Sequence, residues 1–272
     1  MHPTQSLLKH VKKLHLKKYR DEYREFVVEN PLIVRDGIEK DAIPRSVIIT
    51  RKFRDTQKEL TELLQQKMSS EAFEFDEGEL NALSSLEHPQ GIVAVYDKLE
   101  EVIDDSLPLV FLNGVSDPSN VGAIIRSAAA FGVATVITDQ ESADPYNAKS
   151  ISAAKESIFL LNIARKQESF LSELGTRVPL YALDAHEGAP LGTFSWGAPF
   201  CLVIGSEAHG LSSAAKEVVT AKLTIPLDQG KVESLNVGAA AAIALQAAFS
   251  AQQGGPAPEA MPSPTCRRPM TN

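Results

Sequence analysis

The chain has 272 residues, 43% apolar and 23% charged, a globular composition with room for one large domain or two ordinary ones that excludes disorder as the dominant state. With 35 acidic against 27 basic residues the formal charge is −8, so any affinity for nucleic acid must come from a local basic patch and not from the chain as a whole. The two cysteines, Cys201 in an apolar run and Cys266 in a polar tail, supply neither a disulfide framework nor a zinc ligand set, which points to a reducing cytosol and to no metal.

The N-terminus is rich in Lys and His with no apolar h-region after it, and no apolar run approaches the roughly 18 residues of a membrane span; neither export nor membrane insertion is expected. Residues 7–26 carry Lys9, Lys12, Lys13, Lys17, Lys18, Arg20 and Arg24 against Asp21, Glu22 and Glu25, with Leu8, Val11, Leu14 and Leu16 as an apolar stripe. The spacing predicts a basic amphipathic helix, which taken alone describes a solvated charged face as well as it describes an RNA contact. Short apolar runs at 26–28, 46–50 and 91–96 alternate with helix-like stretches at 55–67 and 77–85. They predict a small α/β domain over residues 1–101. Acidic residues, Ser and Pro then break the periodicity, and residues 102–108 read as a linker.

From Leu109 the rhythm becomes strand then helix: 109–112, 123–130, 135–138, 170–174, 180–183, 200–204, 214–219, 223–225 and 235–250. Such alternation predicts a mostly parallel sheet covered on both faces, over residues 109–251. The remaining residues, 252–272, form a Pro-rich tail with little to bury and are expected to be disordered.

Three polar segments follow apolar strands in this half. The first, Asn113-Gly114-Val115-Ser116-Asp117-Pro118-Ser119-Asn120-Val121-Gly122-Ala123-Ile124-Ile125-Arg126, has Asn120 placed to cap a helix and Arg126 projecting from its early turns. In the second, Ile204-Gly205-Ser206-Glu207-Ala208-His209-Gly210, glycines flank a strand end so that a ligand can pack on backbone amides; His209, with no second ligand near it in sequence, reads as a loop residue. In the third, Ile225-Pro226-Leu227 leads through a polar loop to Ser234-Leu235-Asn236 and an Ala-rich helix that another backbone can approach closely. Each segment alone describes an ordinary helix start.

In this order, the three segments resemble the motifs of the SpoU, or TrmH, family of RNA ribose methyltransferases, over residues 109 to about 249. Residues 9–29 and Pro89-Gln90-Gly91-Ile92-Val93-Ala94 resemble the small substrate-binding α/β domain that many members carry. The resemblance implies methyl transfer from S-adenosyl-L-methionine to a ribose 2′-hydroxyl of RNA, ribosomal RNA before transfer RNA. It also implies a C-terminal α/β domain with a deep trefoil knot, a feature otherwise nearly absent from proteins, and a cytoplasmic homodimer whose interface builds the active site. Gly205, Ile225 and Leu235 stand where the family cradles adenosine through backbone groups. Asn120, Arg126, Glu207, Ser234 and Asn236 stand at its catalytic or supporting positions, with Glu207 available to hold either Arg126 or Asn120. Lys9, Lys12, Lys13, Lys17, Lys18 and Arg20 are the expected RNA contacts.

The sequence departs from the family in three places. Ser152-Ala153-Ala154-Lys155-Glu156-Ser157 stands where an Arg and a Gly are common, the Gly being replaced by an acid; the loop from Pro226 to Ser234 is one residue longer; and Ala208-His209 replaces a Gly and a variable residue. A catalytically silent RNA-binding relative is the competing reading. A nucleotide- or NAD-binding enzyme is disfavoured, because neither G-x-G-x-x-G nor G-x-x-x-x-G-K-[ST] occurs.

Overall fold

The basic N-terminal segment forms two helices where the periodicity predicts one: α1 (Gln5–Leu14) and α2 (Lys17–Tyr23). Leu16 between them is extended and 60% exposed, so it does not join the apolar stripe expected of it. The Arg20 guanidinium, 5% exposed, donates to the carbonyls of Leu14 at 2.9 Å and His15 at 2.8 Å, satisfying groups that the end of α1 leaves without helical partners. Arg20 is thus a structural cap, which corrects its assignment as an RNA contact. Arg20→Ala is expected to lower stability by about 2–4 kcal/mol, since two carbonyls lose a charged donor, measured as a shift of the chemical denaturation midpoint; a shift within error would return Arg20 to the surface set.

The computed structural model describes residues 5–68, 72–228, 231–232 and 234–253. The expected Pro-rich tail, Cys266 and part of the lengthened loop lie outside these residues, but Gln252 and Gln253 end a helix. Packing separates the chain into two units. One takes the described residues up to Leu99 together with Tyr146–Leu160, and the other takes Glu100–Pro145 and the described residues from Leu161 onward.

In the first unit, Arg24 turns left-handed (φ 56°) after α2 and leads into β1 (Glu25–Val28), α3 (Pro31–Glu39), β2 (Ser46–Thr50), α4 (Arg51–Thr56), α5 (Lys58–Lys67), β3 (Phe73–Phe75), α6 (Glu77–Leu83) and β4 (Ile92–Asp97). The sheet order is β1-β4-β2-β3, antiparallel except between β2 and β3. Val11 and Leu14 of α1 join Val27, Ile48, Leu80, Leu83 and Val93 in its core.

The excursion Tyr146–Leu160, expected inside the catalytic domain, packs with this unit through aromatic rings. It holds α8 (Ala148–Ala154) and a 3₁₀ turn at Lys155–Phe159. The ring of Phe26 lies 4.8 Å from Tyr146, and that of Tyr96 lies 4.7 Å from Phe159. Gly37 admits Phe159, since a Cβ there would come within 2.6 Å of the ring. The chain turns on Lys155 (φ 57°) immediately before Glu156.

The second unit contains β5 (Leu109–Asn113), α7 (Pro118–Ala130), β6 (Thr135–Thr138), β7 (Asn162–Arg165), α9 (Phe170–Leu174), β8 (Leu180–Leu183), β9 (Ala189–Pro190), β10 (Cys201–Gly205), α10 (Ser213–Val218), β11 (Ala221–Thr224) and α11 (Val237–Gln253). Its seven strands lie in the order β7-β6-β5-β10-β8-β11-β9, every pair parallel. Central strands buried on both faces read as continuous apolar runs, as in Leu109-Val110-Phe111-Leu112 and Cys201-Leu202-Val203-Ile204, all buried. Burial pushes the Cys201 thiol above its ordinary range, so it packs as a small apolar side chain. No helix among the described residues is long and apolar enough to cross a membrane.

Candidate active site

Parallel strands put all their carboxyl ends on one edge, and open α/β sheets bind ligands there. The three polar segments all leave from that edge. β5 and β10 are neighbours in register, with Asn113 opposite Gly205, and β11 follows beyond β8 in the same direction.

After β5 the chain turns at Gly114 (φ 75°). Asp117, not Asn120, caps α7: its carboxylate accepts from the Ser119 amide at 2.7 Å, and Pro118 takes the first helical position, where a missing N–H is harmless. Asn120, placed as a cap by its sequence context, sits in the first turn with its side chain free for another role.

Gly205 ends β10, and the loop after it closes on itself: Ser206 and Gly210 exchange backbone hydrogen bonds at 2.9 and 3.0 Å. A Cβ on Gly205 would fall 2.3 Å from the Gly210 carbonyl carbon. Only glycine lets the loop return so tightly. That return puts Glu207 at an exposed tip.

Asn236 caps α11, accepting from the amides of Gly238 at 2.9 Å and Ala239 at 3.2 Å through its Oδ1. Its Nδ2 therefore faces outward and donates to Asn120 Oδ1 at 2.9 Å. Asn120 Nδ2 in turn donates to Glu207 Oε1 at 2.7 Å. One directional chain, carboxylate to amide to amide to helix N-terminus, links all three segments. An ionised carboxylate only accepts, so each amide has a single orientation that satisfies the chain. Of the two partners open to Glu207, the structure selects Asn120. Gly238 lies close under this junction: a Cβ there would come within 3.2 Å of Asn236 Oδ1 and 3.3 Å of Ala123, and each would have to give by a few tenths of an ångström.

A profile of the SpoU rRNA Methylase family matches residues 108–246, and one of the MRM3-like substrate binding domain matches residues 5–94. The chain belongs to the SpoU family.

It is a SpoU methyltransferase by that membership, and individual relatives agree. The 23S rRNA (guanosine(2553)-2′-O)-methyltransferase RlmP of Bacillus subtilis is 31% identical over 85% of this chain and 91% of its own length. The 23S rRNA (guanosine-2′-O-)-methyltransferase RlmB of Coxiella burnetii is 34% identical over 66% of this chain and 76% of its own. Among solved structures, a TrmH-family protein from Porphyromonas gingivalis superposes with a TM-score of 0.78 at 27% identity, covering 91% of this chain and 98% of that one. The SpoU methyltransferase AviRb from Streptomyces viridochromogenes shares the fold, with a TM-score of 0.78 at 24% identity over 93% of this chain and 100% of that one.

Not every SpoU motif residue joins the chain of amides. Arg126 is exposed and makes no hydrogen bond or ion pair among the described residues. Six residues beyond Asn120 on α7, it lies about 9 Å along the axis and roughly 120° around it. Ser234 is exposed and likewise makes no hydrogen bond among the described residues, while Ile225 and Leu235 are half-buried after β11 and before α11. In the other unit, Lys9, Lys12, Lys13, Lys17 and Lys18 are exposed, Lys17 pairing with Asp21 at 2.5 Å. Among the described residues no group of His, Cys, Asp or Glu is placed to hold a metal ion.

Sequence reasoning missed Asn113. Only 4% exposed, it donates to Asp139 at 3.1 Å and Glu168 at 2.8 Å and accepts from the Ser212 amide at 2.9 Å. It thus ties together the loops after β5, β6, β7 and β10. The available signal was a lone amide ending an otherwise apolar strand, which must be paired once buried.

Proposed function

We propose that this protein transfers the methyl group of S-adenosyl-L-methionine to a ribose 2′-hydroxyl of ribosomal RNA in the cytoplasm. The observation that carries the proposal is the Glu207–Asn120–Asn236 chain, which joins three loops at the ligand-binding edge of the sheet. The relatives named above for 23S rRNA guanosine methylation favour ribosomal over transfer RNA.

The residues present suit the cofactor. Gly205 brings bare backbone to the strand end, and the half-buried Ile225, Leu227 and Leu235 supply apolar surface for a flat ring with backbone groups beside it. Bound there, S-adenosylmethionine supplies an electrophilic methyl that needs mainly in-line placement. The 2′-hydroxyl is the poor partner, and the protein's task is to position it and stabilise its developing charge. A guanidinium carries only N–H donors and no acceptor site, which disqualifies Arg126 as a base. Arg126 instead clamps the adjacent phosphate and the developing oxyanion, and the proton leaves to a phosphate oxygen or water. Glu207 holds Asn120, and Asn236 fixes it from the other side. Ser234 completes the substrate face, and the family's trefoil knot is the expected threading of these loops.

The separation of Arg126 from the amide chain within one protomer supports a homodimer whose active site takes Arg126 from one subunit and Asn236 from the other. α11 buries its small residues Gly238, Ala241, Ala244 and Ala248 and leaves Ile243 42% exposed, an apolar contact available to a second copy. Inactive Arg126→Ala and Asn236→Ala proteins, mixed under conditions that exchange subunits, should recover about a quarter of wild-type activity, since half of the dimers regain one complete site. No recovery despite exchange confirmed by light scattering and mass spectrometry would place the whole site in one chain. For the function itself, ribose methylation mapped across total RNA should lose one modification when the gene is deleted, and calorimetry should detect S-adenosylmethionine binding. An unchanged methylation map would overturn the proposal.

A further inference from the structure

Aromatic residues on small surface helices usually serve the core, and Tyr23 packs partly against it, yet the row of rings that α1 and α2 carry stays half exposed. The His10 ring lies 4.8 Å from Tyr23, and Tyr23 lies 5.9 Å from Tyr19 at 17° from parallel. All three are only half-buried. Lys13 Nζ stands 5.1 Å from the Tyr19 centroid and donates to the Tyr23 hydroxyl at 3.2 Å, while Lys18 Nζ is 5.6 Å from Tyr19. His10 also lines a cleft of about 330 Å³ with Glu25, Arg45, Ser46 and Phe73, where Glu25 bonds His10 at 2.5 Å and pairs with Arg45 at 3.3 Å.

Phosphate binding alone needs lysines and no rings. Stacked rings interleaved with cations match unpaired bases, whose faces are free, whereas a duplex hides its bases and offers backbone. A cleft with a carboxylate, a guanidinium and a hydroxyl beside Phe73 adds donors and acceptors for one base edge. We infer that this face binds an unpaired stretch of the RNA substrate, with bases stacked on Tyr23 and Tyr19, phosphates on Lys9, Lys12 and Lys18, and the cleft reading one base. The inference rests on the RNA-substrate reading above and narrows it to single-stranded RNA.

The test uses the full-length protein with short single-stranded RNAs containing 2-aminopurine and a fluorescent duplex of the same length and salt. Single strands should bind more tightly than the duplex, with 2-aminopurine quenched on binding. Tyr23→Ala should weaken single-strand binding about tenfold and relieve the quenching, Tyr23→Phe should keep both within about threefold, and duplex binding should change in neither. Duplex preference, or an Ala variant of native circular dichroism that binds and quenches normally, overturns the inference. S-adenosylmethionine affinity, measured on the same preparations, should be equal in all variants; its absence from the wild type would count against methyl transfer and leave the stacking result standing.

Discussion

Arg126→Ala is expected to lower the rate of methyl transfer about 10²–10³-fold, the loss typical of removing one oxyanion-stabilising group. The fold should not notice, because the side chain is exposed and makes no hydrogen bond or ion pair among the described residues. Affinity for S-adenosylmethionine, assigned to Gly205, Ile225 and Leu235, should also be unchanged. Single-turnover transfer of a labelled methyl group, with calorimetry for cofactor binding, separates these quantities. Arg126→Lys tests the role further: a planar two-pronged clamp is poorly replaced by a point charge, so the Lys enzyme should be weak at every pH. A Lys enzyme recovering near-normal turnover as pH rises would mark this position as a general base. An Ala enzyme of normal rate would remove Arg126 from the chemistry.

Gly205→Ala should be more disruptive than its single methyl suggests. The added carbon would sit 2.3 Å from the Gly210 carbonyl carbon and 2.5 Å from the Leu211 nitrogen. Both are backbone atoms that cannot rotate away, so the loop carrying Glu207 must move. Overpacking of this kind costs about 1–3 kcal/mol, and the displaced loop should lose the Glu207–Asn120 hydrogen bond. Expected results are a lowered thermal midpoint, S-adenosylmethionine affinity weakened at least about tenfold, and methyl transfer near background. Gly192→Ala is the control, since a methyl there meets nothing within 4 Å. Equal cofactor affinity in the Gly205→Ala and wild-type proteins would detach this strand end from the cofactor site.

Much of the architecture is legible in residue order because its causes are local. Apolar runs such as Leu109-Val110-Phe111-Leu112 announce buried parallel strands, and small polar loops after them announce a ligand edge. The basic face of the first helices and the three motif segments are readable for the same reason: each is a composition or spacing within some twenty residues. Even locally the pattern misleads where one side chain has a better use. Arg20 counts as a surface cation by composition, yet it closes α1; Asn120 looks like a cap, yet Asp117 with Pro118 takes that role.

The packing of Tyr146–Leu160 with the first unit depends on Phe26, Gly37 and Tyr96 far upstream in the chain, and no periodicity within the excursion records it. The same holds for the site. Residue types at Asn120, Glu207 and Asn236 mark candidates, but the hydrogen bonds that join them span 87 and 116 positions. Asn113, which anchors four loops, opens the first motif segment, but its spacing there says nothing of the partners it meets. The sequence by itself determined strands, helices and candidate polar groups, because those follow from neighbours along the chain. Tertiary structure alone decided which polar groups pair, because burial leaves each donor and acceptor only the partners that folding brings within about 3 Å.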